Sequence, residues 1–181
     1  MTVLSIHEFP DPILKQVSEK VTVFDLSLEG FIRDAVETLN SHKYCVGLAA
    51  PQIGQLKRIV FIDISRARKP HPNNGLLVLI NPLILEKSNY KIVREGCLSI
   101  PDFTANVKRA MNITLAYQDI KGETKVFVTQ DFEAHAIQHE IDHLDGKLFV
   151  DKTADEAQMK KILEEAGFGN VVSPASPIMI G

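Results

Sequence analysis

Features that would place this chain in a specialised class of protein are mostly missing. Its 181 residues include no tryptophan and only two cysteines, Cys45 and Cys97. Two cysteines do not make a disulfide framework, so a reducing, cytoplasmic setting is expected. The longest apolar run covers residues 76–80, whereas a helix needs about 20 apolar residues to cross a bilayer. No membrane association is therefore expected.

Strong charge and targeting signals are also missing. The formal net charge is −3 and the pI is about 6.1, which gives no general attraction to nucleic acid or to anionic membranes. The first twelve residues contain no basic stretch followed by a long apolar run, so no signal peptide is expected. With 45% hydrophobic residues, the chain is expected to fold as a single domain over residues 1–181 without disulfides.

The spacing of apolar residues predicts three helices and five strands. The predicted helices cover residues 28–42, 131–146 and 154–166, and the predicted strands cover 57–64, 76–80, 91–94, 107–117 and 124–128. Asp131 is a suitable N-cap and Gly146 a suitable stop for the second helix. An extended arm is predicted over 9–24, and loops are predicted over 45–54 and 65–75. One helix, then strands, then two helices is an α+β pattern.

The clearest chemical signal is the sequence HEIDH at residues 139–143. His139 and His143 are four residues apart in a predicted helix, so both imidazoles project from one face and can hold one metal ion. Glu140 is rotated about 100° from His139 and is directed at a water molecule beside the ion rather than at the ion. This H-E-x-x-H arrangement is typical of metal-dependent hydrolases, and a chance match is the alternative interpretation.

A catalytic metal of this type needs a third protein ligand, and two residues compete for that position. Cys97 lies in the sequence EGCLS; its thiolate would bind zinc or ferrous iron, and otherwise it is a small buried apolar residue. Glu164 follows His143 by 21 residues, as in some metalloproteases, but an exposed position on an acidic helix is favoured for it. His135 is interpreted as a packed or surface histidine, because one straight helix does not readily supply three ligands.

A third segment, VGLAAPQIG at residues 46–54, is rich in small residues. Small residues allow a ligand to approach the backbone closely. Gln52 within this segment offers an amide group that can donate a hydrogen bond to an oxyanion. By itself this segment is weak evidence, since loops of glycine and alanine are common.

Together, the three segments resemble the peptide deformylase family. That family has the motifs G-Φ-G-Φ-A-A-x-Q, E-G-C-Φ-S and H-E-x-x-H in this order, and here they stand as CVGLAAPQ (45–52), EGCLS (95–99) and HEIDH (139–143). The resemblance covers about residues 6–152. It implies an α+β fold in which antiparallel strands pack around the metal-binding helix. It also implies an enzyme that hydrolyses the formyl group from the N-terminal formyl-methionine of newly synthesised proteins and releases formate.

The resemblance implies a metal centre with defined residues. Cys97, His139 and His143 are the expected ligands, and Glu140 is the expected general base and then general acid. The expected cofactor is one divalent ion, usually ferrous iron in this family, with zinc, nickel or cobalt as other occupants. With iron and a thiolate ligand, activity is expected to be sensitive to oxygen.

The resemblance also assigns residues to the substrate. Gln52 and the backbone N–H of Leu98 are expected to bind the oxyanion, and the backbone at Val46, Gly47 and Gly96 is expected to contact an extended peptide. The expected partners are N-formylmethionyl nascent polypeptides, and association with the ribosome is left open. For the methionine side chain, an apolar pocket is expected, and the candidates to line it are Ile137 or other apolar residues near the metal helix.

One position departs from the family pattern, because Cys45 stands where the first motif begins with glycine. If the backbone there were left-handed, a side chain would cost on the order of 1 kcal/mol or more. A thiol would also narrow the substrate groove.

Two other functions remain open from the sequence. A metalloprotease with Glu164 as the third ligand would retain its metal after the substitution Cys97→Ala. A homologue without activity, which binds nascent chains or ribosomes, would hold metal fully and show no turnover.

Overall fold

The computed structural model describes residues 2–153, 161, 164 and 165. Of the predicted helix over 154–166, only residues 161, 164 and 165 lie within the described part of the chain, and these three are helical. Within the described part of the chain, no helix is long and apolar enough to span a membrane.

Five antiparallel strands form one sheet in the order β1-β2-β3-β4-β5, with two helices against it. The elements along the chain are α1 (Leu26–Ser41), β1 (Gly47–Ala49), β2 (Ile59–Ile62), β3 (Leu77–Cys97), β4 (Ile100–Gln118), β5 (Thr124–Gln130) and α2 (Asp131–Leu144). Each strand pairs with the next along the chain. The predicted α+β fold, with antiparallel strands around the helix that carries HEIDH, is confirmed.

Strand β2 shows how the two helices are placed. All four of its residues are buried, and alternate side chains point to opposite faces of the sheet. Ile59 and Phe61 belong to the apolar cluster that contains the buried side of α1. Val60 and Ile62 belong to the cluster that contains the apolar residues of α2. The two helices therefore cover opposite faces of the sheet at β2.

The strands differ from the prediction in three places, and the first is that β4 begins at Ile100, seven residues before the predicted start. The segments predicted as separate strands at 76–80 and 91–94 are parts of the single strand β3, which continues through a register shift between Ile80 and Leu83. Pro82 lies at this irregularity, where its missing N–H interrupts the ladder least. The predicted loop 45–54 contains the short edge strand β1 and a 3₁₀ helix, Ala50–Ile53.

Helix α2 ends as predicted but begins differently. Its N-cap residue is the extended Gln130, and Asp131 is its first residue with a φ of 54°, so capping by Asp131 was a wrong prediction. Gly146 follows the helix with a φ of 67°, and a Cβ there would lie 2.5 Å from the Lys15 carbonyl oxygen. The glycine thus lets the N-terminal arm pack against the C-terminal end of α2.

Candidate active site

The three predicted metal ligands meet where the tip of the β3–β4 hairpin contacts α2. Cys97 ends β3, and His139 and His143 lie one turn apart on α2. Their ligand atoms all lie within 4.8 Å of one another, and the Cys97 Sγ is 3.3 Å from the His143 Nε2. Both histidines are buried. The fold therefore brings together residues that are more than forty positions apart in the sequence.

The chemistry of this group fits a divalent transition metal. One thiolate and two imidazoles are three protein ligands, which leave one position of a tetrahedral site open for a reactant. The Nδ1 of His139 lies 2.8 Å from the Glu95 Oε2. A carboxylate behind a histidine fixes its tautomer and ring orientation, so this contact leaves the Nε2 of His139 for the metal.

Glu140 lies beside the ligands and is 5% exposed. Its Oε2 has no hydrogen-bond partner among the described residues. An added Cβ on Gly47 would overlap the Glu140 Oε1 and lie 2.9 Å from its Cδ, so the carboxyl group fills space that only glycine leaves free. Burial raises the pKa of Glu140 to about 7, against the opposing effect of His139. The carboxyl group is therefore closely confined, with one oxygen available.

Two hydrogen-bond donors lie next to Cys97. The Gln52 Oε1 accepts from the Ala49 N–H at 2.8 Å, which fixes the orientation of the amide. The Gln52 Nε2 then lies 3.4 Å from the Cys97 Sγ and 3.1 Å from the Ser99 Oγ. Leu98 follows Cys97 in a turn, and its N–H has no partner within the described part of the chain.

A buried ionic network behind the ligands was not predicted. Glu95 accepts hydrogen bonds from the Arg109 Nε at 2.6 Å and Nη2 at 2.9 Å, and it contacts the His135 Nε2 at 3.0 Å. Arg109 also donates to Asp142. Although burial favours the neutral acid, hydrogen bonds from Arg109, His135 and His139 hold the pKa of Glu95 far below its usual range. Glu95 begins the EGCLS motif and was visible there, whereas Arg109 carries no local signal.

A cavity of about 530 Å³ opens onto this group, and every predicted site residue except His143 lines it. Phe132 and Ala136 form the apolar part of its α2 wall. Ile137, the candidate for the methionine pocket, does not line the cavity; it is fully buried in the core between α2 and the sheet, so that prediction was wrong. His135 is packed, as expected, and stands outside the ligand group.

Cys45 does not have the left-handed backbone that its motif position raised as a concern. The residue with a positive φ is its neighbour Tyr44, at 63°. The Cys45 thiol is buried, lines the cavity and donates to the Gly47 carbonyl oxygen at 3.0 Å. Burial, with a smaller effect of Glu140, raises the pKa of Cys45 to about 12. The side chain therefore narrows the cavity without straining the chain.

The alternative third ligand does not reach the site. Glu164 is exposed, and the group of ligands found among the described residues contains Cys97 in its place.

Comparison with known proteins agrees with this geometry. A family model described as polypeptide deformylase matches residues 3–159. The peptide deformylase of Helicobacter hepaticus is 40% identical over 173 residues, which cover 92% of this chain and 95% of that protein. Peptide deformylase 2 of Vibrio cholerae is 41% identical over 165 residues, covering 90% of this chain and 95% of that protein.

Solved structures give the same result. The crystal structure of peptide deformylase from Thermotoga maritima has a TM-score of 0.78 at 34% identity, covering 86% of this chain and 100% of that one. The Ehrlichia chaffeensis peptide deformylase in complex with actinonin has a TM-score of 0.83 at 31% identity, covering 95% of this chain and 100% of that one. The chain therefore belongs to the polypeptide deformylase family.

Proposed function

We propose that this chain hydrolyses the formyl group from the N-terminal formyl-methionine of newly synthesised polypeptides and releases formate. The observation that carries the proposal is the meeting of Cys97, His139 and His143 beside the buried carboxyl group of Glu140, in a cavity. Three ligands with one open position and a neighbouring base are the parts that amide hydrolysis with a metal requires.

Cys97, His139 and His143 would hold one divalent ion, which we infer to be ferrous iron in the cell. Zinc, nickel or cobalt would also be held, because imidazole and thiolate ligands suit all of these ions. When bound, the ion supplies the Lewis acidity that polarises a carbonyl group and makes water nucleophilic near neutral pH.

Glu140 moves the proton during the reaction. Its carboxylate accepts a proton from the attacking water and delivers it to the departing amine. The C–N bond of the formamide breaks as the water oxygen becomes part of formate. The contact of Oε1 with Gly47 and the unpartnered Oε2 support this role, since they fix the carboxyl group and keep one oxygen available.

The oxyanion that forms on the formyl oxygen is bound by the Gln52 amide and the Leu98 N–H. Both donors lie next to Cys97, and the Gln52 amide is already oriented by Ala49. Pre-oriented donors stabilise developing charge strongly, and removing one typically costs about 10²–10³ in rate.

The substrate peptide binds in an extended conformation along the free edge of β1. The Val46 carbonyl accepts from the Asp63 N–H on the β2 side, so the backbone groups of Gly47 face away from β2. Val46, Gly47 and Gly96 all line the cavity. An unpaired strand edge is a suitable template for a peptide strand.

We further propose that residues 1–181 form one catalytic domain that works in the cytoplasm on nascent polypeptides, including those on ribosomes. The match over 3–159 supports a single domain. Two free cysteines suit a reducing compartment.

The first experiment is formate release from a short formyl-Met peptide, with protein purified without oxygen and its metal content determined. Formate release that depends on the metal is expected. Full metal occupancy without formate would contradict the proposal and favour a homologue that only binds.

Two variants separate the roles of the site residues. Glu140→Ala should retain metal and lose activity by about 10²–10⁴, the usual contribution of a general base.

Cys97→Ala should lose the metal itself, measured by elemental analysis after dialysis. Near-normal activity of the first variant, or full metal in the second, would contradict the assigned roles.

The sensitivity of the activity to oxygen is tested by exposing the iron form and the nickel form to air. The iron form should lose activity over time because ferrous iron and a thiolate are prone to oxidation. The nickel form, prepared and assayed in the same way, should keep its activity. Equal rates of decay would overturn the assignment of oxidation at the iron site as the cause.

A further inference from the structure

Two exposed cations from different parts of the chain line the cavity and carry positive charge at its mouth. Lys43, after α1, and Arg94, on β3, are both exposed and both line the cavity. Arg68 adds a third cation, with its guanidinium carbon 4.8 Å from the ring centroid of Tyr44, which also lines the mouth. The only exposed acid among the cavity residues described is Glu8.

The other carboxyl groups that line the cavity do not offset this charge at the mouth. Glu95 and Glu140 are 3% and 5% exposed. Glu95 already has a buried ion pair with Arg109. The mouth therefore presents a net excess of positive charge to a peptide that leaves the cavity.

Arg94 is the best placed of these cations. It precedes Gly96 by two residues in a regular part of β3, so the two share one face of the strand, whereas Glu95 points to the other. Its Nε donates to the Thr104 Oγ1 at 2.8 Å. Its two terminal nitrogens have no partner within the described residues. One nitrogen thus anchors the guanidinium, and the other two remain available to a ligand.

Lys43 is also exposed at the cavity, in the segment that connects α1 to β1. Its Nζ lies 4.9 Å from the centroid of the Tyr44 ring, and it forms no ion pair with the part of the chain that the structure describes. An extended peptide that contacts Gly47 and Gly96 would lie near Lys43 and Arg94, because all four residues line the same cavity.

We propose that Arg94 and Lys43 make the enzyme select substrates with acidic side chains at the second and third residues, after the formyl-methionine. The proposal rests on the proposed function and adds the substrate class. Exposed charges of this kind steer complementary ligands and weaken with salt, because water and ions screen them.

The test compares three peptides with amidated C-termini: formyl-Met-Glu-Glu-Ala, formyl-Met-Ala-Ala-Ala and formyl-Met-Lys-Lys-Ala. Formate release gives kcat/KM for each at low salt and at high salt. The acidic peptide should be the best substrate and the lysine peptide the worst, mainly through KM. Each charge contact should change kcat/KM by about two- to fivefold, the effect of an exposed ion pair, and high salt should reduce the differences.

Arg94→Gln and Lys43→Gln should each reduce the preference for the acidic over the lysine peptide, and the double variant should reduce it most, with Arg68 the cation that remains nearby. Lys91→Gln is the matched control: Lys91 is exposed on the same strand but is directed to the opposite face from Arg94 and lies outside the cavity. It should leave the preference unchanged.

The possible failures are distinguishable. Equal kcat/KM for the three peptides, or a preference that is undiminished in the double variant, would overturn this inference while leaving deformylation intact. No formate from any peptide with the metal bound would overturn the proposed function and this preference with it.

Discussion

The floor of the cavity, meaning Glu140 and the buried Glu95–Arg109 network behind the predicted metal ligands, differs from the mouth in how its charges are exposed and paired. At the floor, Glu95, Arg109 and Glu140 are at most 5% exposed, and the first two have charged partners at hydrogen-bond distance. At the mouth, Lys43 and Arg94 are exposed. Interactions among buried charges are strong and costly to break, whereas exposed charges are screened. The buried, paired charges are therefore expected to hold the site residues in place, whereas the exposed charges at the mouth are expected to act only weakly on a ligand.

The largest effect should come from breaking the floor network. Arg109→Leu leaves Glu95 and Asp142 buried without their common partner, and we expect a loss of about 3–5 kcal/mol in the free energy of unfolding. Urea denaturation of the metal-loaded protein measures this. The neighbouring exposed Lys108 provides the control; Lys108→Leu should stay within about 0.5 kcal/mol. A loss below 1 kcal/mol for Arg109→Leu would show that the network does not stabilise the fold.

A smaller effect is expected from a substitution at Gly47, which lies next to the Glu140 carboxyl group. Gly47→Ala would place a Cβ where the Glu140 carboxyl group lies, so the base must move. A displacement of about 1 Å can lower the rate roughly 100-fold, and kcat should fall while metal content is retained. Gly30→Ala in α1 is the control, because a Cβ there meets nothing closer than 3.8 Å. An unchanged kcat in Gly47→Ala would mean that the base tolerates relocation.

The smallest of these effects concerns the thiol on the cavity wall. Cys45→Gly restores the family residue and frees the Gly47 carbonyl from the hydrogen bond that the thiol makes. The KM for a formyl-Met tripeptide should fall about two- to tenfold, the worth of one hydrogen bond, with little change in kcat. Cys45→Ser keeps a donor and should resemble the parent. Equal KM values in all three proteins would show that the thiol does not compete with substrate.

The predicted metal ligands on α2 could be identified from the sequence because the pattern that they form is local. His139 and His143 are one helical turn apart, and that spacing alone predicts a shared face. Cys97 was one of two candidates until the resemblance ordered three motifs. Spacing along the chain does not predict that the tip of the β3–β4 hairpin contacts α2, and this contact is seen only in the structure.

The buried ionic network around Glu95 could not be predicted from the sequence because its members are far apart along the chain. Arg109 lies 14 residues from Glu95 and 33 from Asp142, and no local pattern links them. Ile137 was misplaced for a related reason: helical periodicity shows that a residue is apolar on a face, but not whether that face meets the sheet or the cavity.

Most strands were predicted because alternation of apolar residues is also local. Strand β3 was divided in two since Asn81 and Pro82 usually end a strand. Here the Asn81 side chain forms two hydrogen bonds with the Val21 backbone. These bonds stabilise the irregular backbone at Asn81, and the strand continues after it. That compensation comes from a residue 60 positions away.

The close contact between Gly47 and Glu140 has a consequence for drug resistance. An inhibitor that fills the cavity could ordinarily be excluded by a mutation that adds a side chain to the wall. At Gly47 that route is closed, because the added atoms would enter the space of the Glu140 carboxyl group. A compound whose affinity comes from contacts with Gly47 and the Glu140 carboxyl group is therefore expected to be difficult to exclude by a substitution at Gly47 that keeps activity.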